Sequence, residues 1–318
     1  MIWLVGSGPM AIEYSKVLSA LDVEFEVVGR GEGSAAAFEK ATGKSAFVGG
    51  VEAFLQTNPA KPDHVIVATS VETLAPVSLA LLRFGAKSIL LEKPAGLTTE
   101  EIREVEEVSR AGGAVVLVAY NRRFFASVLK AQEIAAADGG VTSFNFEFTE
   151  WGHVIAKAKK SDVVLNAWLL ANSTHVLDLA FHLGGSPQTG ACFASGADRL
   201  AWHPKASAFS GAGVSNTGAL YSYQANWQAP GRWGVEVLTR ESRLILRPME
   251  QLHIQKIGSV AVDKVPLEDS LDTDFKPGLY RQVQSYLAAE HENFCTIEDQ
   301  VAMSELCTLV TSGGHVSG

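Results

Sequence analysis

Cysteine is scarce in this chain. There are three among 318 residues, Cys192, Cys295 and Cys307, with no Cys-x-x-Cys spacing. An odd, scattered set excludes a disulfide framework and a cysteine zinc site, and reads as reduced, mostly buried thiols. An excess of basic residues is also lacking: 26 Lys and Arg stand against 35 Asp and Glu, a formal charge of −9. Nucleic acid is therefore not an expected partner, because neutralising phosphates needs a basic face. Long apolar runs are missing as well. The longest, such as residues 65–68 and 115–119, fall far short of a membrane span, so no membrane partner is expected. Residues 1–6 have no basic n-region and no cleavage site, so no signal peptide is expected and the chain reads as cytoplasmic. What is present is 47% hydrophobic residues without repeats or low-complexity tracts, which excludes global disorder and suits about two domains.

The most informative stretch comes first. Ile2-Trp3-Leu4-Val5 is a short strand-like run, followed by Gly6-Ser7-Gly8-Pro9-Met10-Ala11 and then by helical spacing through Tyr14, Val17, Leu18 and Leu21. A G-x-G-x-x-A turn between strand and helix is the context that the dinucleotide fingerprint requires. Gly6 permits the tight turn, Gly8 lets the backbone approach a pyrophosphate, and Ala11 allows close packing of helix on strand. The helix N-terminus offers N–H donors and a positive dipole end. A plain strand–helix turn is the competing reading. Residues 23–28 alternate as a second strand and end at Gly29-Arg30-Gly31. An NAD site usually carries an acid at this strand end. Here a small residue leaves room for a 2′-phosphate, Arg30 can fork onto it, and Ser34 can add a hydroxyl. NADP is thus the preferred cofactor. Glu32 keeps NAD open, and Arg30 as a solvated loop charge competes with both.

Strand and helix alternate onward: strands over 63–69, 88–92 and 114–119, helices over 77–84 and 98–111. Such alternation over about 120 residues implies parallel βαβ units, an α/β doubly wound sheet of Rossmann type over residues 1–121. The texture then changes. Residues 143–148 alternate Phe with polar side chains, helical spacing spans 168–183, and strands are expected over 218–227, 233–239, 242–247 and 251–257. Pro230-Gly231 and Arg240-Glu241 read as hairpin turns between them. Helical stretches follow over 278–292 and 298–310. Residues 122–318 therefore read as an α+β domain with an open, mostly antiparallel sheet, its C-terminal helices packing back on one of the domains.

Three clusters can carry chemistry. Glu92-Lys93-Pro94 ends a parallel strand, where ligands sit in open α/β sheets; Lys93 there can hydrogen-bond a substrate oxygen, or be an ordinary surface lysine. Tyr120-Asn121-Arg122-Arg123-Phe124 ends the next strand and can supply amide and guanidinium donors, or a solvated arginine pair. In the third, His175, Asp178 and His182 fall at i, i+3 and i+7 on one helix face. His175 suits a general acid/base. A metal triad competes, but the two-turn spacing departs from the usual i, i+4 pair, so no metal site is expected. A hydrogen-bonded structural histidine is the remaining alternative.

Together these residues resemble the glucose–fructose oxidoreductase/inositol dehydrogenase/rhizopine catabolism (Gfo/Idh/MocA) oxidoreductases. The resemblance rests on the order and distances of the Gly6–Ala11 loop, Ala68-Thr69-Ser70, Glu92-Lys93-Pro94, Tyr120-Asn121-Arg122-Arg123-Phe124 and the His175-x-x-Asp178 helix. It implies hydride exchange between NAD(P) and a sugar, sugar nucleotide, polyol or related carbonyl compound. A non-catalytic cofactor-binding regulator of the same fold is the alternative. It also implies Lys93 and His175 as catalytic residues, and a homodimer or homotetramer formed through the open sheet. Cofactor contacts are expected from Gly6, Ser7, Gly8, Pro9, Met10, Arg30, Ala68, Thr69, Ser70, Glu92, Lys93 and Asn121. Substrate contacts are expected from Arg123, Trp151, Trp168, Asn172 and Asp178. One departure stands out: many sugar dehydrogenases of the family have an Asp four residues before this histidine, where this chain has Ala171.

Overall fold

The computed structural model describes residues 1–317; Gly318, which closes the expected second domain, lies outside the described residues. The chain forms two compact units: Met1–Asn121 with Leu271–Ala302, and Arg122–Ser270 with the residues from Met303 onward.

The first unit is built on β1 (Ile2–Val5), β2 (Phe25–Val28), β3 (His64–Val67), β4 (Ser88–Glu92) and β5 (Val115–Ala119). Their spatial order is β5-β4-β3-β1-β2, and every one of these neighbouring pairs is parallel. Helices such as Pro9–Ala20, Leu74–Phe84 and Thr99–Gly112 connect the strands. Covered strands of this kind need apolar side chains throughout, and Trp3, Leu4, Val65, Ile66, Ile89 and Leu90 are fully buried. The helix expected over 98–111 runs over 99–112. Thr98 caps it by accepting the Glu101 N–H at 3.2 Å, while the Glu101 carboxylate accepts the Leu97 N–H at 2.7 Å. The strand order reverses at β1, so the carboxyl ends of β1 and β3 form the topological switch point.

Of the residues expected in the second domain, 271–302 lie in the first unit. The helix Leu279–Leu287 buries Leu279, Val283 and Tyr286. The Tyr286 hydroxyl donates to the Val65 carbonyl at 3.2 Å and accepts from Ser88 Oγ at 3.0 Å. Cys295–Thr296 then pairs antiparallel with β5, supplying partners to what would be an open edge. Apolar burial and edge pairing thus assign this segment to the first unit, against its place in the sequence.

The second unit carries a nine-stranded sheet. Its strands are β6 (Ser143–Glu147), β7 (Pro187–Ser195), β8 (Ala208–Ser215), β9 (Leu220–Asn226), β10 (Gly234–Leu238), β11 (Ser242–Leu246), β12 (His253–Lys256), β13 (Asp263–Lys264) and Gly314–Ser317. The order is β13-β12-β11-β10-β6-β9-β8-β7 with Gly314–Ser317 beside β7. All neighbours are antiparallel except β6 and β9. In β6, Phe144 and Phe146 are buried while Ser143, Asn145 and Glu147 are half-exposed, the alternation that the sequence suggests. The helix Thr174–Gly184 covers the Phe face, with the Phe181 ring edge-on to Phe144 at 5.7 Å and to Tyr221 at 5.2 Å.

Three details differ from the sequence reading. Pro230-Gly231 is not a hairpin turn, because β6 lies between β9 and β10; Arg240-Glu241 is one, closed by Thr239 N–H to Ser242 O at 2.8 Å. β7 and β8 escape the periodicity because Gly, Ala and Ser dominate them, and only pairing with β9 and with each other gives them strand character. The helix expected over 168–183 is divided into a π-turn, Leu169–Ser173, and the α-helix Thr174–Gly184; such turns recur at functional sites.

Gly6 and Gly8 separate two roles of glycine in one loop. Gly6 has φ +128°, and a Cβ there would lie 2.3 Å from the Ala68 carbonyl oxygen, whereas a Cβ at Gly8 meets nothing within 4 Å. We expect Gly6→Ala to destabilise the protein by about 2 kcal/mol or more and Gly8→Ala to change stability by less than about 0.5 kcal/mol. Urea unfolding checks both, and equal losses would contradict this division of roles.

Candidate active site

In the first unit, candidate residues gather at the carboxyl ends of β1, β3 and β4. The Gly6 N–H is bonded to the Val28 carbonyl at 2.8 Å and the Ala68 N–H to the Val5 carbonyl at 2.8 Å, which anchors both loops to the sheet. The helix Pro9–Ala20 has Gly8 at its N-cap, no side-chain cap and no acid in its first turn. Its first-turn N–H groups and positive dipole end thus face the open space before Gly8, the arrangement that binds an anion. Thr69 adds a second observation: its Oγ1 is buried without a hydrogen-bond partner among the described residues. Ser70 Oγ lies 3.1 Å from Thr73 Oγ1 and so stays within its own turn. Open loop, uncapped donors and orphaned hydroxyl fit a dinucleotide, which Gly8, Pro9 and Met10 would hold at its pyrophosphate with Ala68, Thr69 and Ser70 beside it.

Around Arg30 the geometry alters one reason while keeping the candidate. The space left by the missing Cβ of Gly29 is not open, since a Cβ there would lie 2.8 Å from Ser7 Oγ. Ser7 donates to Ser34 Oγ at 2.9 Å, and Ser34 donates to the Gly31 carbonyl at 3.0 Å, so the two hydroxyls brace the loop. Arg30 and Glu32 are both exposed.

Glu92 is a brace as well as a strand end. It accepts the Tyr14 hydroxyl at 2.8 Å. Burial raises its carboxyl above the usual range, while that hydrogen bond and the charges of Lys93 and Lys276 pull it back down. The Tyr14 phenol is held well above its ordinary value by burial and then by Glu92. Lys93 is half-buried at the end of β4. The next carbonyl, Pro94 O, accepts from Gln300 Nε2 at 3.0 Å, and Gln300 Oε1 accepts the Tyr120 hydroxyl at 2.9 Å. Asn121, expected at the cofactor, donates an amide N–H to the Pro277 carbonyl at 2.9 Å and so also holds the returning segment. Tyr14, Lys276 and Gln300 escaped the sequence reading, which has no local signal for a partner so far along the chain.

The second unit brings together Glu150, Trp168, Asn172, His175 and Trp233. Glu150 is buried and accepts from Asn172 Nδ2 at 2.9 Å and Ser173 Oγ at 2.7 Å through the same oxygen. Burial raises its carboxyl, while Ser173, Asn172 and the indoles of Trp168 and Trp233 favour the charged form. A parity signal for this acid was available: Phe144, Phe146, Phe148 and Glu150 are all buried and alternate along the chain. His175 is buried on the first turn after the π-turn, its ring 6.2 Å from that of Trp233.

Asp178 and Arg123, both expected at the substrate, meet each other. They form a buried bidentate pair, Arg123 Nε to Asp178 Oδ2 at 2.9 Å and Nη2 to Oδ1 at 2.6 Å. His182 bonds Gln132 at 2.9 Å, and burial, then the charge of Arg123, pushes its imidazole down to about 3, so it is neutral at pH 7. Among the described residues no three His, Cys, Asp or Glu side chains gather at metal spacing. Trp168 sits edge-on to Trp202 at 6.0 Å. Trp151 is half-exposed, donates to the Gly231 carbonyl at 3.1 Å and lies under the Arg232 guanidinium at 4.7 Å. No helix among the described residues is long and apolar enough to cross a membrane.

Residues 2–120 match the family model GFO_IDH_MocA, described as "Oxidoreductase family, NAD-binding Rossmann fold". Inositol 2-dehydrogenase 2 of Saccharopolyspora erythraea is 32% identical over 141 residues, 42% of this chain, and that match spans only 40% of the relative's own length. The whole fold is similar to levoglucosan dehydrogenase in complex with NADH and L-sorbose, with TM-score 0.80 and 16% identity over 99% of this chain and 98% of that one. It is also similar to UDP-N-acetylglucosamine 3-dehydrogenase from Acidithiobacillus ferrooxidans, with TM-score 0.74 and 17% identity over 98% and 97% of the two chains.

The Arg123–Asp178 pair yields a stability test. We expect Arg123→Ala to cost about 3–5 kcal/mol, because it strands a buried carboxylate, and we expect Arg123→Met with Asp178→Leu to recover most of that loss. Urea unfolding of both variants decides; a loss below about 1 kcal/mol in the single variant would mean that the pair is not desolvated.

Proposed function

We propose that the chain, whose residues 2–120 match the model of the Gfo/Idh/MocA oxidoreductases with their NAD-binding Rossmann fold, exchanges hydride between NAD(P) and an alcohol/carbonyl carbon of a sugar, sugar nucleotide or polyol. The observation that carries the proposal is the open Gly8 loop, set before uncapped helix donors and next to the orphaned Thr69 hydroxyl. Substrate class is supported by the relatives, whose names specify inositol, levoglucosan and UDP-N-acetylglucosamine dehydrogenases.

When bound, the nicotinamide supplies or accepts the hydride. The protein's own contribution is orientation and charge. Lys93 donates a hydrogen bond to the reacting oxygen and steadies the negative charge that develops there. His175 takes or returns the proton of that oxygen; its imidazole type suits proton exchange near neutral pH. Glu150, by accepting from Asn172 and Ser173, fixes the turn from which the His175 helix starts. The cofactor preference we assign is NADP, with Arg30 forking onto the 2′-phosphate from its exposed place after β2; Glu32 is the residue that would favour NAD. A homodimer or homotetramer completes the proposal. It would form on the sheet face where β7 and β9 expose Phe193 and Leu220.

Titration of the purified chain with NADPH and NADH, followed by tryptophan quenching, tests the premise, and binding of neither would sink it. Lys93→Met is expected to lower kcat/KM by about 100-fold or more while changing cofactor Kd by less than about threefold. Collapse of cofactor binding in that variant would remove the assigned role. Arg30→Ala should weaken NADPH by about tenfold and leave NADH nearly unaffected; equal losses would refute the 2′-phosphate contact.

A further inference from the structure

Arg122 is the group in the second unit that the proposed reaction leaves unused. Its guanidinium carbon lies 5.1 Å from the centre of the Trp233 ring and 5.9 Å from that of Phe125. Its Nε is buried without a hydrogen-bond partner, and among the described residues its side chain forms no salt bridge. An unsatisfied buried donor on a charged group costs more than a neutral one, so a native fold seldom leaves one without a ligand to meet it.

The neighbouring acids do not meet it. Asp178 is engaged bidentately by Arg123. Glu150 accepts from Asn172 and Ser173. Glu250 is exposed, and it is not a partner of the Arg122 Nε. Their charges nevertheless keep Arg122 cationic: burial lowers its pKa only to about 10, with Glu250, Glu150 and Asp178 opposing the fall. Aromatic rings engage the guanidinium through their faces by cation–π attraction, which leaves its in-plane N–H fork available. Such a fork matches the two oxygens of a carboxylate. The location is also informative, since Trp233 is shared: the ring that Arg122 covers is the one that His175 approaches.

We propose that Arg122 receives a carboxylate carried by the substrate, so that the substrate class is an acidic sugar or polyhydroxy acid rather than a neutral sugar. This rests on the oxidoreductase reading and narrows it. The acid is bound, not transformed, and its carboxylate keeps its charge throughout.

The test is calorimetric titration of the full chain, at low ionic strength and with dinucleotide present, using matched acid and neutral probes. D-glucuronate is compared with D-glucose, and D-gluconate with D-glucitol. At least one acid should bind about tenfold or more tightly than its neutral partner. Arg122→Gln should abolish that difference, and Arg122→Lys, which keeps the charge and loses the fork, should retain only part of it. No acid binding better than its neutral partner in the unmutated chain overturns the proposal, as does an acid preference that survives in Arg122→Gln. Dinucleotide affinity is measured separately in the same protein. Its absence would strike the oxidoreductase reading, whereas its persistence without acid preference would strike only the role of Arg122.

Discussion

A backbone that must pass within touching distance of another backbone underlies everything in the first unit. At Gly6 a methyl group would collide with the Ala68 carbonyl, and φ there is one that side chains rarely adopt. The contact joins the ends of β1 and β3 at the place where the strand order reverses. Two residues on, the chain turns into the helix Pro9–Ala20 with no cap and no acid in the first turn. A helix built for stability alone would normally carry a capping side chain there. Leaving the donors uncapped gives up local stability, and under the proposed function it leaves them free for an anion. The same trade explains a threonine hydroxyl left buried without a partner at position 69.

In the second unit the controlling constraint is the allocation of buried charge. Two adjacent arginines enter it, and one acid on the helix Thr174–Gly184 holds Arg123 bidentately. Glu150, which is within electrostatic reach of Arg122, is instead held by the π-turn before the His175 helix. A carboxylate held this way fixes where the helix begins, and with it the position of the His175 ring. Glu150, arriving from beyond the end of β6, puts a buried carboxylate on Asn172 and Ser173, the two residues that follow Ala171. The consequence is that Arg122 keeps its charge while its Nε lacks a hydrogen-bond partner among the described residues.

Much of this was legible. The apolar runs at 2–5, 65–68 and 115–119 announced buried strands by themselves, and the Gly6–Ala11 loop needed only its flanking strand and helix. The Phe144–Phe146 alternation announced a sheet with one covered face. β7 and β8 were not legible, because runs such as Gly211-Ala212-Gly213 have no intrinsic strand preference and become strands by pairing. Nor was the position of β6 between β9 and β10, since a Pro-Gly pair signals a turn but not which strands it joins.

The sequence by itself determined the local elements, the Rossmann loop and the residue types able to bind a dinucleotide or move a proton, because each depends on neighbours within a turn or a strand. Only the tertiary structure decided which charges are engaged. Arg123 meets Asp178 across 55 residues, Asn172 meets Glu150 across 22, and Gln300 reaches Pro94 across 206. Arg122 and Arg123 are indistinguishable in sequence, yet one is neutralised inside the unit and the other is not. The physical reason is that a charge's role depends on the partners and solvent around it, and burial at long sequence separation sets both.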